Sequence, residues 1–189
     1  MTDVIGAIRA KWLALGGDSG FGQPLDIERP TFDGTGRAQS FSGGKYISWH
    51  PQVGAFAAWG LIAVKWLAVG REQFGYPVTD ELGCPDGRGR FNHFRTMQLP
   101  GLPEASIYWT PQTGAHEVHG AIRTAWASHG WERSPVGYPT SDEHDWAGHP
   151  GGRRSDFENG FIVWTPQMGA QIHGPVSIDD GTALNPVDG

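Results

Sequence analysis

The chain has 189 residues, a length that suits one compact domain with a sizeable hydrophobic core. The formal net charge is −6, without a basic run or a long apolar stretch, which argues against nucleic-acid binding and against membrane insertion. The only cysteine, Cys84, excludes an internal disulfide framework and a cysteine-rich zinc site.

The same series of elements occurs three times along the chain, and each series begins with an amphipathic helix. In the first copy, Ile8, Trp12 and Leu15 are spaced i, i+4, i+7, which places them on one helical face. Equivalent stripes begin at Ile62 and Ile122. A glycine, the residue that most readily adopts the left-handed conformation, follows each predicted helix. These glycines are Gly16, Gly70 and Gly130.

A Gly-x-Pro turn and two strands follow each helix. The turns are FGQP at 21–24, FGYP at 74–77 and VGYP at 136–139, in which glycine permits a positive φ and proline fixes the exit direction. In the first copy, one strand runs from Arg37 to Phe41 and the next ends at Trp49. Both are rich in aromatic and β-branched residues. The equivalent strands carry Arg90 to Phe94 with Trp109, and Arg153 to Phe157 with Trp164.

The repeats span 6–59, 60–119 and 120–173. We predict an α+β domain over 1–174, built from three tandem helix-plus-β-hairpin repeats that must stack to bury their apolar faces. Because both terminal repeats keep the apolar stripe, we predict closure into a ring with pseudo-threefold symmetry; an open arc is the alternative. Residues 175–189 are predicted to form a mobile acidic tail.

Several stretches resemble LGFP repeats. They are GRFNHF at 89–94, SIYWTPQTGAHEVHGAIRTAW at 106–126 and GWERSPVGYPTSDE at 130–143. The resemblance implies an accessory module of actinobacterial cell-envelope proteins that binds cell-wall glycan. The resemblance also implies secretion or envelope attachment. In contrast, no signal peptide is visible after Met1, and this would place the sequence as written in the cytoplasm. The compartment therefore stays open at this point.

An arginine and a glutamate recur in every copy and are candidates for ligand binding. The arginines are Arg37, Arg90 and Arg153, and the glutamates are Glu28, Glu81 and Glu143. Each arginine could pair with the glutamate as part of the scaffold, or present a free fork to sugar hydroxyls. Trp131 and Trp146 lie outside the repeat pattern and are the better candidates for exposed stacking on sugar. We assign the helix and strand tryptophans to the core.

One variable position supports an enzymatic alternative. The residue before the recurring phenylalanine is Ser40, His93 or Asp156. In a closed ring these could meet as a hydrolase-like triad, although the neighbour of an inward strand residue usually faces the other way. His93 or His119 would then act as general base. We predict no cofactor and no metal site, because two equivalent histidines do not supply the three protein ligands of a catalytic metal.

The second repeat carries an insertion, RTMQLPGLPEA at 95–105, where the others have SGG and ENG. Its apolar residues Met97, Leu99 and Leu102 could form a lid or a contact patch for a protein partner. Taken together, these features predict a non-catalytic module that binds a polysaccharide or a small carbohydrate. The alternative is a small freestanding enzyme with an asymmetric pocket near the 95–105 loop.

Overall fold

The computed structural model describes residues 3–175, so nearly all of the predicted acidic tail lies outside the described residues. The α-helices are α1 (Gly6–Ala14), α2 (Gly17–Gly20), α3 (Gly60–Ala68) and α4 (Gly120–Ser128), and 3-10 turns occupy Arg71–Gln73 and Trp131–Arg133. The predicted glycine stops are confirmed, because Gly16, Gly70 and Gly130 have φ values of 96°, 107° and 96°. Within residues 3–175, no helix combines the length and apolar character needed to cross a membrane.

Each repeat contains an antiparallel sheet. The first consists of β1 (Arg29–Pro30), β2 (Arg37–Phe41), β3 (Lys45–His50) and β4 (Gly54–Ala58). The second consists of β5 (Tyr76–Pro77), β6 (Leu82–Gly83), β7 (Arg90–Arg95), β8 (Glu104–Thr110) and β9 (Gly114–His119). The third consists of β10 (His144–Asp145), β11 (Arg153–Phe157), β12 (Gly160–Thr165) and β13 (Gly169–His173). The chain therefore combines helices with antiparallel sheets in three repeats.

The hairpin predicted for each repeat is part of a larger sheet. A third long strand, β4 in the first repeat, starts at the Gly-Ala pair and pairs with β3 from His50–Gly54 to Tyr46–Ala58. The equivalent strands β9 and β13 pair in the same way with β8 and β12. A two-stranded hairpin exposes too much of its surface to be stable alone, whereas the third strand provides a platform for the helix.

The long helix of each repeat packs on the sheet of the same repeat. Ile8 of α1 lies in a buried cluster with Phe41 and Ile47, and the other two repeats have equivalent clusters. Trp66 and Trp126 are fully buried, as predicted. Each helix tryptophan also donates its indole N–H to the glycine carbonyl of the Gly-x-Pro turn. These bonds are Trp12 to Gly22 at 2.8 Å, Trp66 to Gly75 at 2.9 Å and Trp126 to Gly137 at 3.2 Å.

Two junctions connect consecutive repeats through equivalent ion pairs. A helix lysine of one repeat contacts an aspartate of the next, as Lys11–Asp80 at 2.9 Å and Lys65–Asp142 at 2.8 Å. A closed ring would need a third junction. Within residues 3–175, no hydrogen bond or ion pair connects the first repeat to the third, so the predicted closure is not supported. The sequence offers a reason, since Ala125 replaces the lysine and Ile27 replaces the aspartate.

A tyrosine of the Gly-x-Pro turn completes each junction. Tyr138 is fully buried against Gly89 of the preceding repeat, and its hydroxyl lies 2.5 Å from the Asp86 carboxylate. Tyr76 contacts Asp33 at 2.7 Å in the same way at the first junction. Because glycine leaves the space that the tyrosine ring occupies, consecutive repeats interlock at this point.

Candidate functional site

The recurring glutamates and arginines form ion pairs in all three repeats. The Nε–Oε1 distances are 3.8 Å for Arg37–Glu28 and 3.0 Å for Arg153–Glu143, and Arg90 Nε also bonds to Glu81 Oε1. Each glutamate is nearly buried, whereas 33–42% of each arginine side chain stays exposed. The pair therefore belongs to the scaffold but leaves part of the guanidinium accessible to a ligand.

The strand tryptophans lie directly beside these arginines. In the sheet register, Arg37 pairs with Trp49, Arg90 with Trp109 and Arg153 with Trp164. All three tryptophans pack against the buried cluster of their repeat, as predicted, but they are only partly buried and keep part of the ring exposed. Cross-strand partners point to the same face of a sheet, which places an aromatic ring and a guanidinium side by side in each repeat.

A pocket lies at each of these pairs, and the three pockets have equivalent linings. The first, of about 320 Å³, is lined by Glu28, Arg37, Trp49 and the first turn of α1. The second, of about 260 Å³, and the third, of about 200 Å³, have the same set of residues at the starts of α3 and α4. We call these the Glu-Arg-Trp pockets. None of the three helices has a side-chain cap or an acidic residue in its first turn.

Burial gives the glutamate of the second pocket an unusual environment. Only 5% of the Glu81 side chain is exposed, and this burial raises the pKa of its carboxyl, although Arg90 opposes the shift. Apart from the Trp59 backbone N–H, which also opposes the pKa rise, its Oε2 atom has no hydrogen-bond partner among the described residues, and it lies 4.0 Å from where a β-carbon on Gly60 would be. A buried acceptor with at most one partner, at a pocket wall, is suited to a ligand that supplies a hydroxyl or N–H donor.

The third pocket differs by a histidine. His119 lies 3.6 Å from Glu143 and 3.6 Å from Glu117, and both carboxylates are 7% exposed. Burial raises the pKa of the Glu117 carboxyl, opposed by the nearby His119. His119 therefore bridges two acidic groups beside the pocket. Among residues 3–175, no three His, Cys, Asp or Glu side chains lie close enough together to hold a metal ion.

The LGFP repeat matches residues 21–73, 74–134 and 136–178, which together cover most of the chain. The chain belongs to the LGFP repeat family. Each match begins at the Gly-x-Pro turn, so the first two matches each contain the sheet of one structural repeat and the helix of the next, and the third contains the sheet of the last repeat. No curated protein matches the chain.

The two tryptophans predicted to stack on sugar have other partners in this LGFP protein. The Trp131 ring packs against Arg123, His93 and Tyr108 at the second junction, with 4.9 Å from its centroid to the Arg123 guanidinium. Trp146 stacks on His149 with ring centroids 3.4 Å apart. Neither residue lines a Glu-Arg-Trp pocket.

The residues of the enzymatic alternative are separated among three sheets. Ser40 lies on β2, His93 on β7 and Asp156 on β11, and no described contact joins any two of them. Asp156 pairs instead with Arg154 and His144. His93 Nδ1 lies 2.7 Å from Ser106 Oγ, but Ser106 is fully buried and cannot reach a substrate. The triad considered as an alternative is therefore not assembled.

Sequence reasoning missed two features of this region. It did not pair the strand tryptophans with the arginines, although each lies the same number of residues from the turn that joins their strands. It also missed the buried contact from Arg123 Nε to Ser106 Oγ at 2.7 Å. Nothing in the sequence pattern marks this contact, because Arg123 lies on a helix and Ser106 lies on a strand of the preceding repeat.

Proposed function

We propose that the chain is a non-catalytic carbohydrate-binding module whose three Glu-Arg-Trp pockets are the binding sites. The observation that carries the proposal is the recurrence of one set of chemical groups in three equivalent pockets. A partly exposed indole face stacks on the apolar face of a sugar ring, as aromatic rings do on other flat apolar surfaces. The guanidinium donates to sugar hydroxyls, and the glutamate accepts from them.

The pockets are small and open, so one pocket holds about one sugar unit and binds weakly. Affinity then comes from several pockets that engage one polymer at the same time. A polysaccharide is therefore a better ligand than its monosaccharide. Together with membership in the LGFP family, this favours a glycan of the actinobacterial cell envelope, and we propose an envelope location on the same grounds.

Affinity electrophoresis through gels that contain soluble polysaccharides, arabinogalactan among them, tests the proposal. We expect arabinogalactan to retard the wild-type protein. Trp49→Ala, Trp109→Ala and Trp164→Ala should each reduce the retardation, and the triple variant should lose it. Trp146→Ala is the matched control, because it removes a tryptophan outside the pockets, and thermal melting of each variant verifies folding. If no polysaccharide binds at millimolar site concentration, or the folded triple variant binds normally, the proposal is wrong.

We also propose that one pseudo-symmetric step relates each repeat to the next, and that the three repeats form an open arc. The equivalent Lys–Asp pairs and interlocked tyrosines at the two junctions support this arrangement. In a crystal structure, the rotation and translation that bring the first repeat onto the second should also bring the second repeat onto the third. A contact between the first and third repeats would contradict the open arc.

A further inference from the structure

A different pocket, of about 550 Å³, lies beneath the insertion that only the second repeat carries. We call it the insertion pocket. It is lined by the end of the insertion (Leu102 to Glu104), by Arg95 at its start, and by Gly120, Arg123 and Thr124 of α4. The insertion is ordered by a turn, because Thr96 N donates to Pro103 O at 3.0 Å and Leu102 N donates to Leu99 O at 3.1 Å. The pocket therefore has a defined wall.

Two arginines and one glutamate give the insertion pocket a net positive charge. Glu104 accepts from Arg95 Nη2 at 2.7 Å and from Arg123 Nη1 at 2.8 Å. Arg123 is held in place, because its Nε donates to Ser106, its guanidinium lies over Trp131, and only 9% of its side chain is exposed. The guanidinium Nη2 of Arg123 and the Nε and Nη1 of Arg95 have no hydrogen-bond partner among the described residues.

The insertion pocket adjoins the third Glu-Arg-Trp pocket, because Gly120 lines both. The equivalent place beside the second Glu-Arg-Trp pocket has no arginine pair. At the equivalent places around α3, Ala63 stands for Arg123, Val64 stands for Thr124, and Ser42 stands for Arg95. The positive charge is therefore specific to the site at the second junction and is not a property of the repeat.

We propose that the insertion pocket binds an oxyanion, the carboxylate or phosphate substituent of a sugar whose neighbouring ring occupies the third Glu-Arg-Trp pocket. A planar guanidinium group can donate two parallel hydrogen bonds to two oxygens of a carboxylate or phosphate. The buried guanidinium of Arg123 is already held in a fixed orientation by Ser106 and Trp131. The uncapped start of α4 at Gly120 adds favourable electrostatics for an anion. The connection to the sugar rests on the proposed function, whereas oxyanion binding itself does not.

Glu104 makes the proposal testable by gain of function. It occupies part of each arginine fork, and 40% of its side chain is exposed, so Glu104→Gln should free the forks without disturbing the core. We expect Glu104→Gln to bind inorganic phosphate at least threefold more tightly than the wild type. Arg95→Gln should bind at least threefold more weakly. Arg88→Gln, which removes an exposed arginine paired with Glu158 elsewhere, should leave phosphate binding unchanged.

Amide NMR titration with inorganic phosphate and, separately, with glucuronate supplies the measurement. Saturable shifts should centre on Arg95, Gly120 and Thr124, and a preference for one of the two ions identifies the substituent. A structural role for Glu104 alone would lower the melting temperature of Glu104→Gln without tightening phosphate binding. Shifts elsewhere, or unchanged affinity in folded Glu104→Gln, overturn the proposal.

A neutral oligosaccharide and the same oligosaccharide ending in glucuronic acid separate this proposal from the proposed function. If both bind with equal affinity at the third Glu-Arg-Trp pocket, the module binds glycan and the oxyanion site is wrong. If phosphate binds at Arg95 but neither oligosaccharide binds, the oxyanion site stands and the glycan function is wrong. We expect the acidic oligosaccharide to bind at least fivefold more tightly, and Arg95→Gln to abolish the difference.

Discussion

Gly89 lies where the second and third repeats interlock, so Gly89→Ala should strongly destabilise the fold. A β-carbon at this position would lie 2.6 Å from the Trp109 carbonyl oxygen and 2.7 Å from Cε1 of Tyr138. The backbone oxygen cannot move freely, and the Tyr138 ring is fully buried. Either the sheet must shift or the ring must leave, and a displaced ring also loses the contact between its hydroxyl and Asp86.

The expected cost follows from these two effects. Overpacking a close-packed interior costs typically about 1–3 kcal/mol, and losing a hydrogen bond to a charged group adds about 1.5–3 kcal/mol when the ring is displaced. A ring that is displaced loses the hydrogen bond but relieves part of the overpacking, so the two costs do not add in full. We therefore expect Gly89→Ala to lower the free energy of unfolding by about 3 kcal/mol.

Gly83→Ala is the matched control. Gly83 is an exposed strand residue six positions earlier, where a β-carbon would meet no atom within 4 Å. Both substitutions reduce the entropy of the unfolded chain equally, so their difference isolates the steric effect. Urea unfolding followed by tryptophan fluorescence measures both variants. If the free energies of unfolding of Gly89→Ala and Gly83→Ala differ by less than about 0.5 kcal/mol, the proposed interlocking at the junction is wrong.

Three further predictions concern ionisable groups. Burial alone would raise the pKa of Asp33, but hydrogen bonds led by the one from Tyr76 lower it to about 2. The ionised carboxylate therefore stabilises the fold above pH 4, and this stabilisation is lost as the pH falls toward 2. Between pH 5 and pH 2, the free energy of unfolding of the wild type, measured by urea unfolding, should therefore fall by about 2 kcal/mol more than that of Asp33→Asn, and equal falls would contradict this. Burial, and secondly the positive charge of Arg123, lower the pKa of His93 to about 4. The Hε1 NMR signal of His93 should therefore not shift between pH 8 and pH 5.5. A titration midpoint near pH 6.5 would refute the burial of this ring. Cys84 is buried with Tyr138 in one cluster at the second junction, and burial raises the pKa of its thiol to about 12. A thiol reagent should therefore label it only after unfolding, and rapid labelling of the native protein would contradict the interlocked junction.

The elements with strong local signals could be predicted from the sequence. Gly16 and its equivalents end the helices, and Trp66 and Trp126 fill the core, because these outcomes depend on backbone conformation and apolar spacing. For Arg153, the sequence allowed either an ion pair with Glu143 or a guanidinium free to bind a ligand. The recurrence of both residues in every repeat favoured the ion pair, which the structure contains.

Features that depend on how elements pack could not be predicted in the same way. The strand β4 carries mostly small residues with little strand propensity, so only its pairing with β3 reveals it. Trp109 packs against the core, as expected of an aromatic residue in a strand, but the position of α3 also leaves part of its ring at a pocket wall. Closure of the repeats would depend on a third junction, and the sequence argues against one only through Ile27 and Ala125, which become informative once the Lys–Asp pairs are known.

The indole N–H signals of the nine tryptophans provide the most direct test of glycan binding at the Glu-Arg-Trp pockets. Each signal can be assigned with a single Trp→Phe variant and followed by NMR as an arabinogalactan oligosaccharide is added. The signals of Trp49, Trp109 and Trp164 should shift, while those of Trp66 and Trp126, which donate to turn carbonyls in the core, should stay in place. Shifts confined to Trp131 or Trp146, with the three pocket signals unchanged, would contradict the account.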